Sequence, residues 1–236
     1  MTDATLAAPP GGLRARLRQS RILILVELAL VAAIFLADQP GLHLIVFSKT
    51  LYLLALACAS LLARGLWWGS IGFRLDRNLP AWILIGVIGG ALIEAQELYL
   101  TQPLLVRLIG PPDLSDFRGL IGNTAMLPVG FALIWTLGTF GQEWVYRGWL
   151  TNRFAELFGR SRLAWILAVV AANVLFGLAH GDQNPTGMIE AAEDGLLFAL
   201  LYFATGRNLI APMVAHGFQD STDLVLIFAY HYPISL

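Results

Sequence analysis

The stretch RILILVELALVAAIFLA, residues 21–37, is apolar apart from Arg21 at its start and Glu27 inside it. Its length is close to the ~20 apolar residues that a membrane-crossing helix needs. Comparable runs follow at about 42–63, 81–100, 124–150, 163–179, 188–205 and 209–230. Hydrocarbon leaves backbone amides no water to bond, so repeated runs of this length imply helices. The expected fold is all-α: a polytopic transmembrane helix bundle of about seven to eight helices.

Composition agrees. Of 236 residues, 57% are apolar and only 13% are charged, about half the charged share of a soluble domain. Mean hydropathy is +0.69. A single water-soluble core of this size cannot hide so many apolar side chains. Net charge is −1, so no basic field exists to attract nucleic acid. The lone Cys58 permits no internal disulfide. No secretory signal is expected, because the first twenty residues lack a short apolar core before a small-residue cleavage site.

Residues 1–20 read as a polar, partly disordered leader carrying Arg14, Arg16 and Arg18. Residues 21–236 read as a single transmembrane helical domain, with its chemistry-bearing core at about 124–231. Asp38, Gln39, Pro40 and Gly41 break the first run from the second. Residues 64–80 form an Arg-rich loop with Trp67 and Trp68 at interfacial depth. Gly86 and Gly90 give the third run a small-xxx-small spacing that permits close helix approach. Residues 101–123 read as a loop with one short interfacial helix. The arginines of residues 14–18, 64–77, 153–162 and 207 fall on one side if spans alternate. The positive-inside rule then puts the N-terminus in the cytoplasm. The expected location is a cytoplasmic membrane of bacterial type, with the lipid bilayer as a partner and no nucleic acid.

Ionisable groups inside spans are costly and mark functional sites by default. In GQEWVYRG (141–148), Glu143 and Arg147 share a helix face and can pair. A plain salt bridge near the headgroups would account for that pair. Gln142 lies ~100° around the helix from Glu143 and can face another helix. In FGLAH (176–180), Phe176 and His180 share a face, though a helix-end histidine is the simpler reading. In HGFQD (216–220), His216 and Asp220 do the same, where an interhelical hydrogen bond is the bland alternative. Glu27, Glu94 and Glu97 read as secondary, the latter two as solvated helix ends. Glu190, Glu193 and Asp194 would open the sixth run, where acids suit a helix N-terminus. His43 and His231 read as interfacial.

If the fourth and fifth runs form a hairpin near Gly159–Ser161, Gln142 lies ~18 residues before the turn and His180 ~20 after it. At 1.5 Å per residue they reach nearly the same depth. His216 lies only about ten residues past the turn at 206–208, so straight helices would leave it at another height. A bend, or a dipping loop at Pro185 and Gly187, is needed to bring it level.

QEWVYR (142–147), FGLAH (176–180) and HGFQD (216–220), in this order, resemble the pattern of the CAAX protease and bacteriocin-processing (CPBP, or Abi) membrane proteins, which include the type II CAAX prenyl endopeptidases. The family pattern is EExxxR, FxxxH and HxxxN or HxxxD. The resemblance covers about residues 138–223. It implies peptide-bond hydrolysis in an intramembrane cavity without a Ser or Cys nucleophile. The residue at position 142 and His180 would activate a water. His216 and Asp220 would stabilise the oxyanion, Glu143 counts with these four as a catalytic residue, and Arg147 and Phe176 would support them. No cofactor is implied, and the expected partner is a peptide or membrane-protein substrate.

One departure is central. Gln142 stands where the pattern has its first Glu, and an amide cannot take a proton from water. It is an inactivating substitution, or the mark of a non-catalytic member, or a sign that Glu143 or Asp220 is the base. An ionised Asp220 cannot donate to an oxyanion, so His216 would be the donor. Two other classes compete. One is a zinc hydrolase using His180, His216 and Glu143 or Asp220, though HExxH spacing is absent. The other is a non-catalytic binding, immunity or scaffold protein. A transporter lacks the paired broken helices it should show.

Overall fold

The computed structural model describes residues 12–39, 42, 44–230 and 232. Among them the fold is all-helical, with no strand. The α-helices are α1 (Leu13–Gln19), α2 (Arg21–Ala37), α3 (Lys49–Ala63), α4 (Leu79–Gln96), α5 (Gln102–Ile109), α6 (Met126–Leu133), α7 (Thr151–Leu157), α8 (Arg162–Leu178), α9 (Asn184–Ala204) and α10 (Ile210–Phe228). Wide π-helical turns at Glu97–Thr101, Ile134–Gly141 and Trp144–Leu150 join some of them without a break.

Local chemistry explains the boundaries. Ser20, Ser48 and Ser161 cap α2, α3 and α8, each hydroxyl accepting from a first-turn amide. This satisfies donors that a helix start leaves free. Pro185 sits in the first turn of α9, where its missing N–H costs nothing.

Several boundaries differ from the sequence expectation. The second run becomes helical only at Lys49, because Phe47 just before it has φ 77°. The expected loop at 101–123 is helical as far as Ile109. Pro103 falls just past a wide turn where the hydrogen-bond ladder is already shifted. The fourth run continues through α7 to Leu157. Part of the expected leader, residues 13–19, is helix α1. It is tied down by Arg18, whose Nε donates to the Arg64 carbonyl at 2.8 Å. Residues 1–11, Pro40, Gly41, His43 and His231 lie outside the described residues.

Among the described residues, one helix is long and apolar enough to cross a membrane, the continuous Leu79–Ile109. The number rises to three if two bent pairs each count as one span: α1 with α2 (65°) and α8 with α9 (60°). The expected seven spans are not reached on this criterion, because polar residues and wide turns divide the other runs. Large apolar side chains nevertheless stay exposed, among them Ile88 and Leu92 on α4 and Ile166 and Val170 on α8.

The interior is organised around the π-helical segment Trp144–Leu150, all of whose residues are buried. Trp149 Nε1 donates to Ser60 Oγ at 2.9 Å. Ser60 also accepts from Arg64, which pairs through both terminal nitrogens with buried Glu27. Glu27, expected to be secondary, thus clamps α2 to α3. Helix α10 lies along α4 at the two small residues singled out in the sequence. A Cβ on Gly90 would come within 2.6 Å of the Ala215 carbonyl oxygen, and one on Gly86 within 2.7 Å of the Ala211 carbonyl oxygen.

That contact is testable. Gly90→Ala presses on backbone, which cannot yield, and should destabilise by about 1–3 kcal/mol. Gly89→Ala meets only the flexible end of Leu201 and should cost less. Thermal unfolding of both variants in detergent checks the order.

Candidate active site

Glu143 is fully buried, at 0% exposure. Its Oε1 lies 2.9 Å from Arg147 Nη1, one helical turn on. The same oxygen accepts a hydrogen bond from His216 Nδ1 on α10 at 2.9 Å. The pairing expected within the 141–148 string is present, and it is an interior ion pair rather than a headgroup one. Burial makes each member depend on the others, since an unpaired interior charge costs several kcal/mol.

Arg147 is held on its other sides too. Its guanidinium lies 4.2 Å from the centre of the Phe176 ring and 5.3 Å from that of Phe198. Such stacking favours a planar cation. Its Nη2 donates to Asn173 Oδ1 at 3.4 Å. Gly195 on α9 lets this happen: a side chain there would strike Asn173, Arg147 and Phe176.

The two histidines flank Phe176. Ring centres are 4.9 Å apart for Phe176–His180 and 6.0 Å for Phe176–His216. His216 also stacks on Phe198 at 4.7 Å. Each histidine has its Nδ1 engaged. His180 Nδ1 lies 2.8 Å from the Phe176 carbonyl, which can only accept. The neutral ring therefore carries its proton on Nδ1 and leaves Nε2 as an acceptor. His216 Nδ1 donates to Glu143, and its Nε2 lies 3.5 Å from Asp220 Oδ2.

Gln142, His180, His216 and Asp220 line one cavity of about 440 Å³, with Phe176. The structure therefore gathers the residues singled out in three separate strings. Glu143 is the exception. It sits behind the wall, holding His216, and cannot touch a molecule in the cavity. His216 does reach the level of His180, both rings lying against Phe176, and the chain bends by 60° between α8 and α9 just past His180, where Asn184 takes φ 64°. Gln142 Oε1 has no hydrogen-bond partner among the described residues. Gly138 leaves room beside Asp220 Oδ2, 3.3 Å from where a Cβ would stand.

Other residues were missed or misjudged. Asn173 and Phe198 support the site, and Asn173 is the polar break in an otherwise apolar α8, seven residues before His180 on the same face. Glu94 and Glu97, expected to be solvated, are buried. Glu190 and Asp194 are not at a helix start: α9 begins at Asn184, so both lie inside it, and both are buried. Among the described residues, the acids close enough to share a cation are Glu94, Glu97 and Asp223, within 4.8 Å of one another. That set contains neither histidine of the zinc alternative.

The family comparison falls on this same segment. Residues 124–222 match the family model of the type II CAAX prenyl endopeptidases, Rce1-like. Over that span the chain is similar to that family. The resemblance drawn from the three short strings is thereby borne out. The chain is also 27% identical, over 160 residues, to the membrane-embedded CAAX protease MroQ of Staphylococcus aureus (strain USA300). That alignment covers 66% of this chain and 60% of the relative, so the chain spans less than two thirds of the protein it matches. No solved structure matches. The matched span contains Arg147 and both histidines.

Removing one partner of the buried pair tests its weight. Arg147→Met should cost about 3–5 kcal/mol of stability, because Glu143 is left uncompensated. Asn173→Ala removes a hydrogen bond to a charged group and should cost about 1.5–3 kcal/mol. Chemical or thermal unfolding of the two variants reads the difference.

Proposed function

We propose that this chain is a membrane-embedded endopeptidase of the CPBP, CAAX-protease-like type, and that Gln142 impairs it in the form given by this sequence. The single observation that carries this reading is the cavity shared by Gln142, His180, His216 and Asp220, with His216 held from behind by Glu143 and Arg147. The exposed apolar faces of α4 and α8 would meet lipid, and the bilayer is the partner that suits them. The N-terminus would be cytoplasmic in a bacterial membrane.

The chemistry follows from the donors and acceptors present. His180 offers an Nε2 lone pair toward the cavity, able to accept hydrogen from a water. A carboxylate at position 142 would take that water's proton as the oxygen attacks the peptide carbonyl. The water oxygen bonds to the carbonyl carbon, the C–N bond breaks, and the proton passes to the leaving amine. His216, when protonated, would donate from Nε2 to the oxyanion, and Asp220 would orient it. With Gln142 the water can be held but not deprotonated by that side chain. Asp220 is then the carboxylate that stands beside His216 in the cavity. Glu143, walled off, is poorly placed to replace the missing base. No cofactor takes part in this scheme.

A second reading rests on the same Gln142: a non-catalytic protein that binds a peptide or helix in the cavity. One experiment separates the two. Cleavage of a peptide or small membrane-protein substrate should rise at least about 100-fold in Gln142→Glu, the lower range for a general base. In that background His180→Ala should abolish turnover while unfolding temperature stays near the parent's, and His216→Ala should abolish turnover and also lower the unfolding temperature, because Glu143 loses a partner. Equal turnover by the unsubstituted chain and by Gln142→Glu would take position 142 out of the mechanism. No cleavage by either form would favour the binding protein.

A further inference from the structure

The peptidase scheme leaves one wall of the cavity without a role. Glu97, Glu190, Asp194 and Asp223 line it, brought there by the wide turn after α4, by α9 and by α10. Gln219 ties two of them together. Its Nε2 donates to Asp194 Oδ2 at 2.9 Å and to Glu97. Among the described residues none of the four forms an ion pair with Lys or Arg. Arg147 is engaged by Glu143 and Asn173 instead. Several carboxyls withdrawn from water without a countercharge either stay protonated or take up a cation from outside.

A second observation points into the cavity. Glu190 is only 6% exposed, yet its Oε1 has no hydrogen-bond partner. Glu190 and Asp194 are one helical turn apart on α9, so their carboxyls face the same way. That spacing suits the planar fork of a guanidinium or the donors of an ammonium. Other parts of the lining, including Phe117, Met126, Leu133 and Ile227, are apolar. Asp220 and Asp223, three apart on α10, link the acidic wall to His216.

We infer that the acidic wall is a subsite for one basic side chain, and that the substrate is an apolar peptide segment carrying a Lys or Arg that reaches this wall of the cavity when the scissile bond lies at the histidines. The inference rests on the endopeptidase reading for the words scissile bond, but the recognition itself can be tested without turnover. A divalent cation is the less suited occupant. The three acids that converge tightly include Glu94, which is not part of the cavity lining.

The test uses the full chain in nanodiscs with Gln142 retained. Two fluorescent apolar peptides, identical but for a central Arg or its neutral isostere citrulline, are compared by anisotropy. The Arg peptide should bind at least about 10-fold more tightly, the yield of one charge-assisted hydrogen bond. Glu190→Gln with Asp194→Asn should bring the two peptides within about two-fold of each other. Equal binding by the unmodified chain overturns the subsite, whatever the variant does. So does tight Mg²⁺ or Ca²⁺ binding at these acids with no discrimination between peptides. Discrimination with no cleavage by Gln142→Glu would retire the peptidase reading and keep the subsite. Cleavage by Gln142→Glu of both peptides alike, with equal binding, would do the reverse.

Discussion

A single carboxylate, that of Glu143, sets the terms for the rest of the molecule. It is withdrawn from solvent and compensated by Arg147 on its own helix and His216 on α10. In an apolar interior such a charge is tolerated only while both partners stay in place. Phe176, Phe198 and Asn173 surround Arg147 in a way that keeps it there. Gly195 is small because anything larger would occupy their space. The positions of α8, α9 and α10 are in this sense consequences of one ion pair and its cage.

The wide helical turns give the site its second constraint. In a regular helix, adjacent residues such as Gln142 and Glu143 diverge by ~100°. Here they join two π-helical segments, a geometry often found at functional positions. One side chain enters the cavity and the other enters the packed interior. This division assigns them different work: Glu143 holds a histidine, and position 142 faces whatever the cavity contains. A similar wide turn carries Glu97 into the acidic wall.

Legibility in the sequence followed the range of the interactions. Helix α8 was expected at 163–179 and is found at Arg162–Leu178, because apolar periodicity and a Ser cap are local. The close contact at Gly86 and Gly90 was visible as a spacing, since only small residues allow backbones so near. The acids were misread for the opposite reason. Whether Glu94 or Asp194 meets water depends on which helix packs over it, and nothing within a turn of either residue records that. The same holds for Asn173, whose partner Arg147 lies on another helix.

By itself the sequence determined the helical class, most helix boundaries, the one-turn spacings of Glu143 with Arg147, Phe176 with His180 and His216 with Asp220, and the family likeness those strings carry. These are matters of backbone period and of neighbours within four residues. Only the tertiary structure decided that His216 reaches across 73 residues to Glu143, that Gln142 rather than Glu143 faces the cavity, and that four scattered acids share its wall. Those facts come from how curved and bent helices pack, and packing is settled by the whole interior at once rather than by any local run.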